Sequence, residues 1–224
     1  MNKQATVPFS VEVTSGPTPL VEAEHYEVYF SRRALARLKA LLGRRGLEDL
    51  LATDIEEGNA YFREMVSRSE GKWKPATTEL TARGISSAQF TAWFHDESAN
   101  EPVMLAAQPE HFVIAGSADA LDVVENMGPY VCSYKMHFTG EDAAVGDLLA
   151  DYPTRMVGHG KLADGTVVIH ALHQFRDTAA GFDAHLSIFF PHACPEAEII
   201  EQHRRHLAVE FSNWITDAAA SAAN

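Results

Sequence analysis

The chain has 224 residues, 18 Lys and Arg against 31 Asp and Glu for a formal net charge of −13 at pH 7, and 46% hydrophobic against 22% charged residues. That balance argues against a nucleic-acid partner, and the length allows one sizeable core or two small ones, which excludes intrinsic disorder and a fibrous fold. Apolar runs such as 188–190 fall far short of the roughly 20 residues needed to cross a bilayer. Residues 1–8 lack the apolar stretch of a secretory signal, and two cysteines, Cys132 and Cys194, are too few for a disulfide framework. A cytoplasmic protein with no membrane and no nucleic-acid partner is the expectation.

In chain order, residues 22–68 are rich in helix formers, with Leu35, Leu38 and Leu42 and then Ile55, Phe62 and Met65 at helical spacing, and breaks at Gly43 and Gly46. The organisation changes near residue 76, which separates a helical N-terminal region, 1–75, from a second region, 76–224, that continues it as one structural unit. From Glu110 the apolar period becomes two. Tyr130, Cys132, Tyr134, Met136 and Phe138 share one face of a half-buried strand, and 155–162, 166–176 and 182–190 read the same way, with turns at Asp164-Gly165 and Ala179-Ala180-Gly181. These strands predict an antiparallel meander.

Pro195 stands where a helix can begin, and Glu196 and Glu198 suit the positive end of its dipole. The helix that follows carries an apolar stripe of Ile200, Leu207, Phe211, Trp214 and Ala218, predicted to bury Leu207, Phe211 and Trp214 against the sheet. The expected fold class is α+β. It is a helix-grip architecture, a curved antiparallel sheet closed by a long C-terminal helix around a cavity.

Eleven histidines invite a search for clusters. His206 and Glu210 are four apart on the final helix and can share one ion, and His203 borders the same stripe; a solvated His/Glu face beside Arg204 and Arg205 is the equal alternative. Trp93-Phe94-His95 places a His after two large aromatics, at the edge of the core. If the segment 121–128 is a strand, Glu125 shares a face with Leu121 and Val123, a costly place for a carboxylate without a partner. A cation removes that cost, and two imidazoles with two carboxylates suit zinc, with iron(II) or manganese as lesser alternatives. Taken alone, His95 and Glu125 read more simply as a surface His and a strand-end Glu.

The order Trp93-Phe94-His95, Pro109-Glu110-His111, Val124-Glu125-Asn126-Met127-Gly128, His173-Gln174-Phe175-Arg176-Asp177-Thr178 with Gly181, and His206 with Glu210 resembles the diacetylphloroglucinol hydrolase family, which includes the phloretin hydrolases. The resemblance implies a Bet v1-like helix-grip domain behind a helical N-terminal region, with zinc held by His95, Glu125, His206 and Glu210. His111 then reads as a supporting or structural residue. Strand alternation sends His173 towards the cavity and His170 away, and these two are the candidate catalytic histidines, His173 preferred. Tyr130, Tyr134 and Met136, the bulky face of their strand, are the candidate substrate-binding residues. The chain departs from the family in having no tyrosine in 77–89, where Ser86 and Ser87 lie nearest the aromatic-His motif, and no basic, aromatic-rich strand at 183–190.

The activity implied is hydrolysis of the carbon–carbon bond between an acyl group and a polyhydroxylated ring, as in an acylphloroglucinol, a phenolic ketone substrate, with release of a carboxylic acid. Two other readings stay open: a helix-grip binding protein for an apolar or aromatic small molecule, and a metal-free polyketide cyclase or dehydratase acting through His173. A homodimer is an admissible assembly.

Overall fold

The computed structural model describes residues 23–117 and 120–222. Two compact units divide between Leu41 and Leu42. Helix α1 (Ala23–Leu50) runs through that division and is interrupted at Gly43, whose φ of 63° and ψ of 174° leave the helical region. Gly46 does not interrupt it. In the first unit, α1 carries exposed Val28, Tyr29, Phe30 and Leu38. No helix among the described residues is long and apolar enough to cross a membrane.

The second unit holds α2 (Ala52–Ser69), β1 (Trp73–Arg83), α3 (Ser87–Glu97), α4 (Glu101–Ala107), β2 (His111–Ser117), β3 (Ala120–Met127), β4 (Tyr130–Thr139), β5 (Thr154–Lys161), β6 (Val167–Thr178), β7 (Gly181–Pro191) and α5 (Glu201–Ala222). The strands form one seven-stranded antiparallel sheet in the order β1-β7-β6-β5-β4-β3-β2, so the first strand pairs with the last and the others follow as a meander. A π-helical turn, Glu196–Ile200, leads from Pro195 into α5. Along α5, Leu207, Phe211, Trp214 and Ala218 are buried in one core with Phe90, Phe94, Phe175, Phe182 and Phe190. This is a helix-grip fold, with the core between the sheet and the helix.

Strand β1 begins at Trp73, just before the change of organisation expected at residue 76, and α2 lies in the same unit as the sheet. Sequence alternation does not reveal β1, because only Ala76 and Ala82 of its eleven residues are buried. The place of α2 follows from the sheet. β4 pairs with β5 only from Lys135 to Thr139, so its first half has no strand on that side. α2 fills the gap: Asn59 Oδ1 accepts the Ser133 backbone N–H at 3.1 Å, and Tyr61 stacks on Tyr130 with ring centres 3.9 Å apart.

The outer face of the sheet carries a second, smaller apolar cluster of Val157, Leu172 and Phe189, joined by Trp73, Ala144 and Val145. The β4–β5 connection lies over it, held by Gln174, which accepts from the Leu149 N–H at 2.9 Å and donates to the Asp147 carbonyl at 3.2 Å.

Glycine in a helix interior is normally improved by Ala, by roughly 1 kcal/mol. Gly58 is expected to reverse that sign, because a Cβ there would lie 2.0 Å from the Val131 carbonyl oxygen. Gly58→Ala should lower stability by about 1–3 kcal/mol in urea unfolding; a gain would mean that α2 is not seated on β4.

Candidate metal centre

Four side chains from three elements converge at one end of the helix–sheet interface. His111 opens β2 and pairs with Glu125 of β3 across the ladder, and His206 and Glu210 reach them from α5. His111 Nε2 lies 3.0 Å from His206 Nε2, 3.3 Å from Glu125 Oε2 and 3.2 Å from Glu210 Oε1, while His206 Nε2 lies 3.4 Å from Glu125 Oε2. Metal–ligand bonds of about 2.0–2.2 Å in a tetrahedron separate donor atoms by about 3.3 Å. His111, His206 and Glu210 can offer atoms that all lie within 4.8 Å of one another, and Glu125 reaches that group through its contacts with the two histidines.

Local structure explains the convergence. Between His111 and Val113 the β2–β3 register shifts by one residue. Ile114 pairs with Val123 on the inner face, so regular alternation would set Phe112 opposite Glu125; the bulge puts His111 there instead. On the other side, the β3–β4 turn approaches the π-helical turn ahead of α5. Gly128, with φ of 66°, sits where a Cβ would be 2.2 Å from the Glu198 carbonyl oxygen, so the glycine sets how closely the Glu125 strand meets the His206 helix. Gln108 donates to the His206 carbonyl at 3.1 Å, and Asn213 to the Ala107 carbonyl at 2.6 Å, which tie α5 to the segment leading into β2.

The electrostatics are those of a compensated buried charge. Burial opposes the charged form of His111, but hydrogen bonds to Glu125 and Glu210 outweigh it and raise its pKa to about 9. Burial likewise opposes the Glu125 carboxylate, and the His111 hydrogen bond with the nearby His206, His111 and His203 rings outweighs it, lowering the pKa to about 2. Tyr134 donates to Glu125 Oε1 at 2.6 Å, and its own ionisation is pushed far up by burial and by that carboxylate. On the solvent side Glu110, hydrogen-bonded to Asn126, lies 3.6 Å from His206 Nδ1 and closes a polar pocket of about 340 Å³.

On the inner side the site opens onto a compact cavity of about 80 Å³ between sheet and α5, apolar except for Glu125, Tyr134, His173, His203, His206 and Glu210. Tyr134 and Met136 line it. Burial lowers the His173 pKa to about 3, so its ring is neutral, and its Nδ1 has no hydrogen-bond partner; the ring packs on Phe211 at 4.8 Å between centres. His203, also pushed down to about 3 by burial, stacks on His206 at 4.9 Å.

Four expectations need correction. His95 is not in the cluster: Phe90 and Phe94, one turn apart on α3, point into the core, and His95, about 100° further round the helix, is 69% exposed beside Asp96. His111 takes the place expected for His95 and is not a peripheral residue. His170, as strand alternation predicts, faces the outer side of the sheet, with its ring edge-on to Trp73 at 4.5 Å, so of the two candidate catalytic histidines His173 lines the cavity and His170 does not. Tyr130 lies outside the cavity, against Tyr61. Ser86 and Ser87 serve as local ties, Ser86 capping α3 through Gln89 and Ser87 donating its N–H to Asp177.

No protein-family model and no curated protein sequence matches the chain. Among solved structures, the crystal structure of Ara h 8.0201 is similar over 66% of this chain and 95% of that chain, with 8% sequence identity and a TM-score of 0.40.

The pH behaviour of the metal-free protein follows in sign. The contribution of His111, whose ordinary pKa is 6.5, is complete below that value and lost as pH rises through about 9. The contribution of Glu125, ordinarily 4.5, is complete above that value and lost as pH falls towards about 2. Because a ligating imidazole is neutral, zinc binding at pH 7 should release about one proton from His111. Calorimetric titration in buffers of different ionisation enthalpy measures that proton; a heat independent of buffer would contradict it.

Proposed function

We propose that this chain is a zinc-dependent hydrolase that cleaves the carbon–carbon bond between an acyl group and a polyhydroxylated aromatic ring, with His111, Glu125, His206 and Glu210 holding the ion. The observation that carries the reading is the donor set itself: His111, His206 and Glu210 gathered within 4.8 Å of one another, with Glu125 beside both histidines, on the wall of an otherwise apolar cavity. The class of substrate comes from the motif resemblance, and a cavity of about 80 Å³, smaller than the roughly 150 Å³ that holds a benzene ring, must widen to admit it. Iron(II) or manganese would accept the same ligands less readily.

When bound, zinc supplies Lewis acidity to a carbonyl oxygen and lowers the pKa of a coordinated water towards about 7. The protein's own residues supply the rest. Phe211, Met136 and Phe138 offer apolar surface to the ring. Tyr134 fixes one oxygen of Glu125, leaving the other turned towards the histidines. His173, on the cavity wall with Nδ1 unpartnered, accepts a hydrogen bond from the attacking water and aims it at the acyl carbon. The balance is that of a hydrolysis. Hydroxide joins the acyl carbon, the bonding pair leaves with the ring carbon as an enolate of the keto tautomer, and the water's proton ends on that carbon.

A second reading rests on ligand count. Four protein donors with no open position are the pattern of structural zinc, so the ion could tie α5 to the sheet while the cavity binds an aromatic molecule without turnover, as in a helix-grip binding protein.

Purified protein should contain about one equivalent of zinc and convert an acylphloroglucinol to the deacylated phenol and the free acid, followed by chromatography. Glu125→Gln and His111→Gln should each lose zinc and lower turnover about 100-fold or more, whereas His95→Ala should leave both unchanged. Zinc with no turnover of any acylphenol, together with quenching of tryptophan fluorescence by an aromatic ligand, would establish the binding protein instead.

A further inference from the structure

The outer face of the sheet carries a second group of imidazoles that the cavity chemistry does not use. His137 of β4 pairs with His159 of β5, and His159 pairs in turn with His170 of β6, so three histidines stand side by side on adjacent strands. Their ring centres are 5.6 Å apart for His137 and His159 and 6.2 Å for His159 and His170. Two imidazoles bound to one ion through nitrogens at about 2.0–2.1 Å have ring centres about 5–6 Å apart. The ladder is already close to that spacing.

Two further observations point to a ligand. His159 Nε2 and His170 Nδ1 are shielded from solvent and have no hydrogen-bond partner, an unfavourable state for a polar atom unless something else satisfies it. The surroundings also keep the rings in their ligating form. Burial lowers the His170 pKa to about 4, aided by His159, and burial, Lys161 and His137 lower that of His159. Trp73 walls off one side of His170, and the apolar patch of Val157, Leu172 and Phe189 lies next along the same face.

We propose that the ladder holds a second metal site on the outer face of the sheet, a cross-strand imidazole site for a borderline transition-metal ion, with His159 and one strand neighbour, His170 or His137, as its ligands. No carboxylate belongs to the ladder, and Lys161 is adjacent, so magnesium and calcium, which require oxygen ligands, are excluded, while nickel and zinc suit neutral imidazoles. The ion would bridge β5 to β6, or β5 to β4, adding to the backbone ladder and to the packing of Val157 on Leu172. This inference does not depend on the proposed hydrolase activity, because the two sites lie on opposite faces and share no residue.

The test uses Ni²⁺ and the full chain. In a His111→Ala/His206→Ala variant, which removes the cavity ligands, Ni²⁺ titration should still give one equivalent bound, and adding His159→Gln should weaken that binding at least tenfold. Mg²⁺ should not compete. No binding in the first variant, or binding that survives His159→Gln, overturns the proposal. If the cavity variant does not fold, the wild-type chain should bind two equivalents of Ni²⁺ and His159→Gln one, with the ring signals of His137, His159 and His170 broadened by Ni²⁺ in the NMR spectrum of the wild type. Equal stoichiometry in the two chains overturns it as well.

Discussion

Two carboxylates, Glu125 and Glu210, lie inside an apolar core, and the arrangement around them answers the cost of placing that charge out of water. An isolated buried carboxylate costs far more than any single contact returns. Here Glu125 receives a hydroxyl from Tyr134 and an imidazole from His111, and Glu210 meets the same His111 ring. Without an ion, one shared, charged imidazole holds the group together. Under the proposed function a divalent cation would take the same atoms as ligands and release that proton. The core tolerates the charge because a cation stands beside it, so metal binding at this site would be coupled to the protonation state of His111.

That requirement sets strict tolerances on the fold. β2 must bring His111 to the inner face, which a regular strand would not do, and the bulge beside Phe112 supplies the one-residue shift. α5 must approach β3 within ligand distance, which Gly128 allows by yielding its side-chain volume to the Glu198 carbonyl. The aromatic packing of Phe90, Phe94, Phe211 and Trp214 then fixes the rotation of α5, so that His206 and Glu210, one turn apart, both face inward. An error of about 1 Å in any of these would separate donors that stand 3.0–3.4 Å apart.

The two faces of the sheet divide the histidines by environment. Inside, His173 and His203 are neutral because burial opposes their charge, while His111 is charged because two carboxylates overcome the same burial. Outside, His137, His159 and His170 stand in register without carboxylates. One residue type is therefore held charged in one place and neutral in others within one domain, with the partners deciding which.

The meander, its turns and the C-terminal helix were legible in the sequence because each rests on local periodicity: alternation in β4 to β7, and the stripe of Leu207, Phe211 and Trp214 that is buried as expected. Helical spacing made His206 and Glu210 candidates, with a solvated face as the equal alternative, and the apolar strand face made Glu125 one; the motif resemblance joined the three, and the structure brings them together. Strand β1 was not legible, because its burial lies at only two alanines. Nor was His111. A one-residue bulge decides which face it takes, and period-two reasoning has no access to a bulge; the short β2–β3 hairpin, with Ser117 paired to Ala120, was the signal that could have brought His111 close to Glu125. His95 attracted attention through its aromatic neighbours, but those aromatics sit on a helix, where the next residue turns about 100° away from them. Local pattern determines which segments can be helix or strand and which face is apolar, whereas the meeting of His111 with His206, 95 residues apart, is decided by register and packing that exist only in the folded chain.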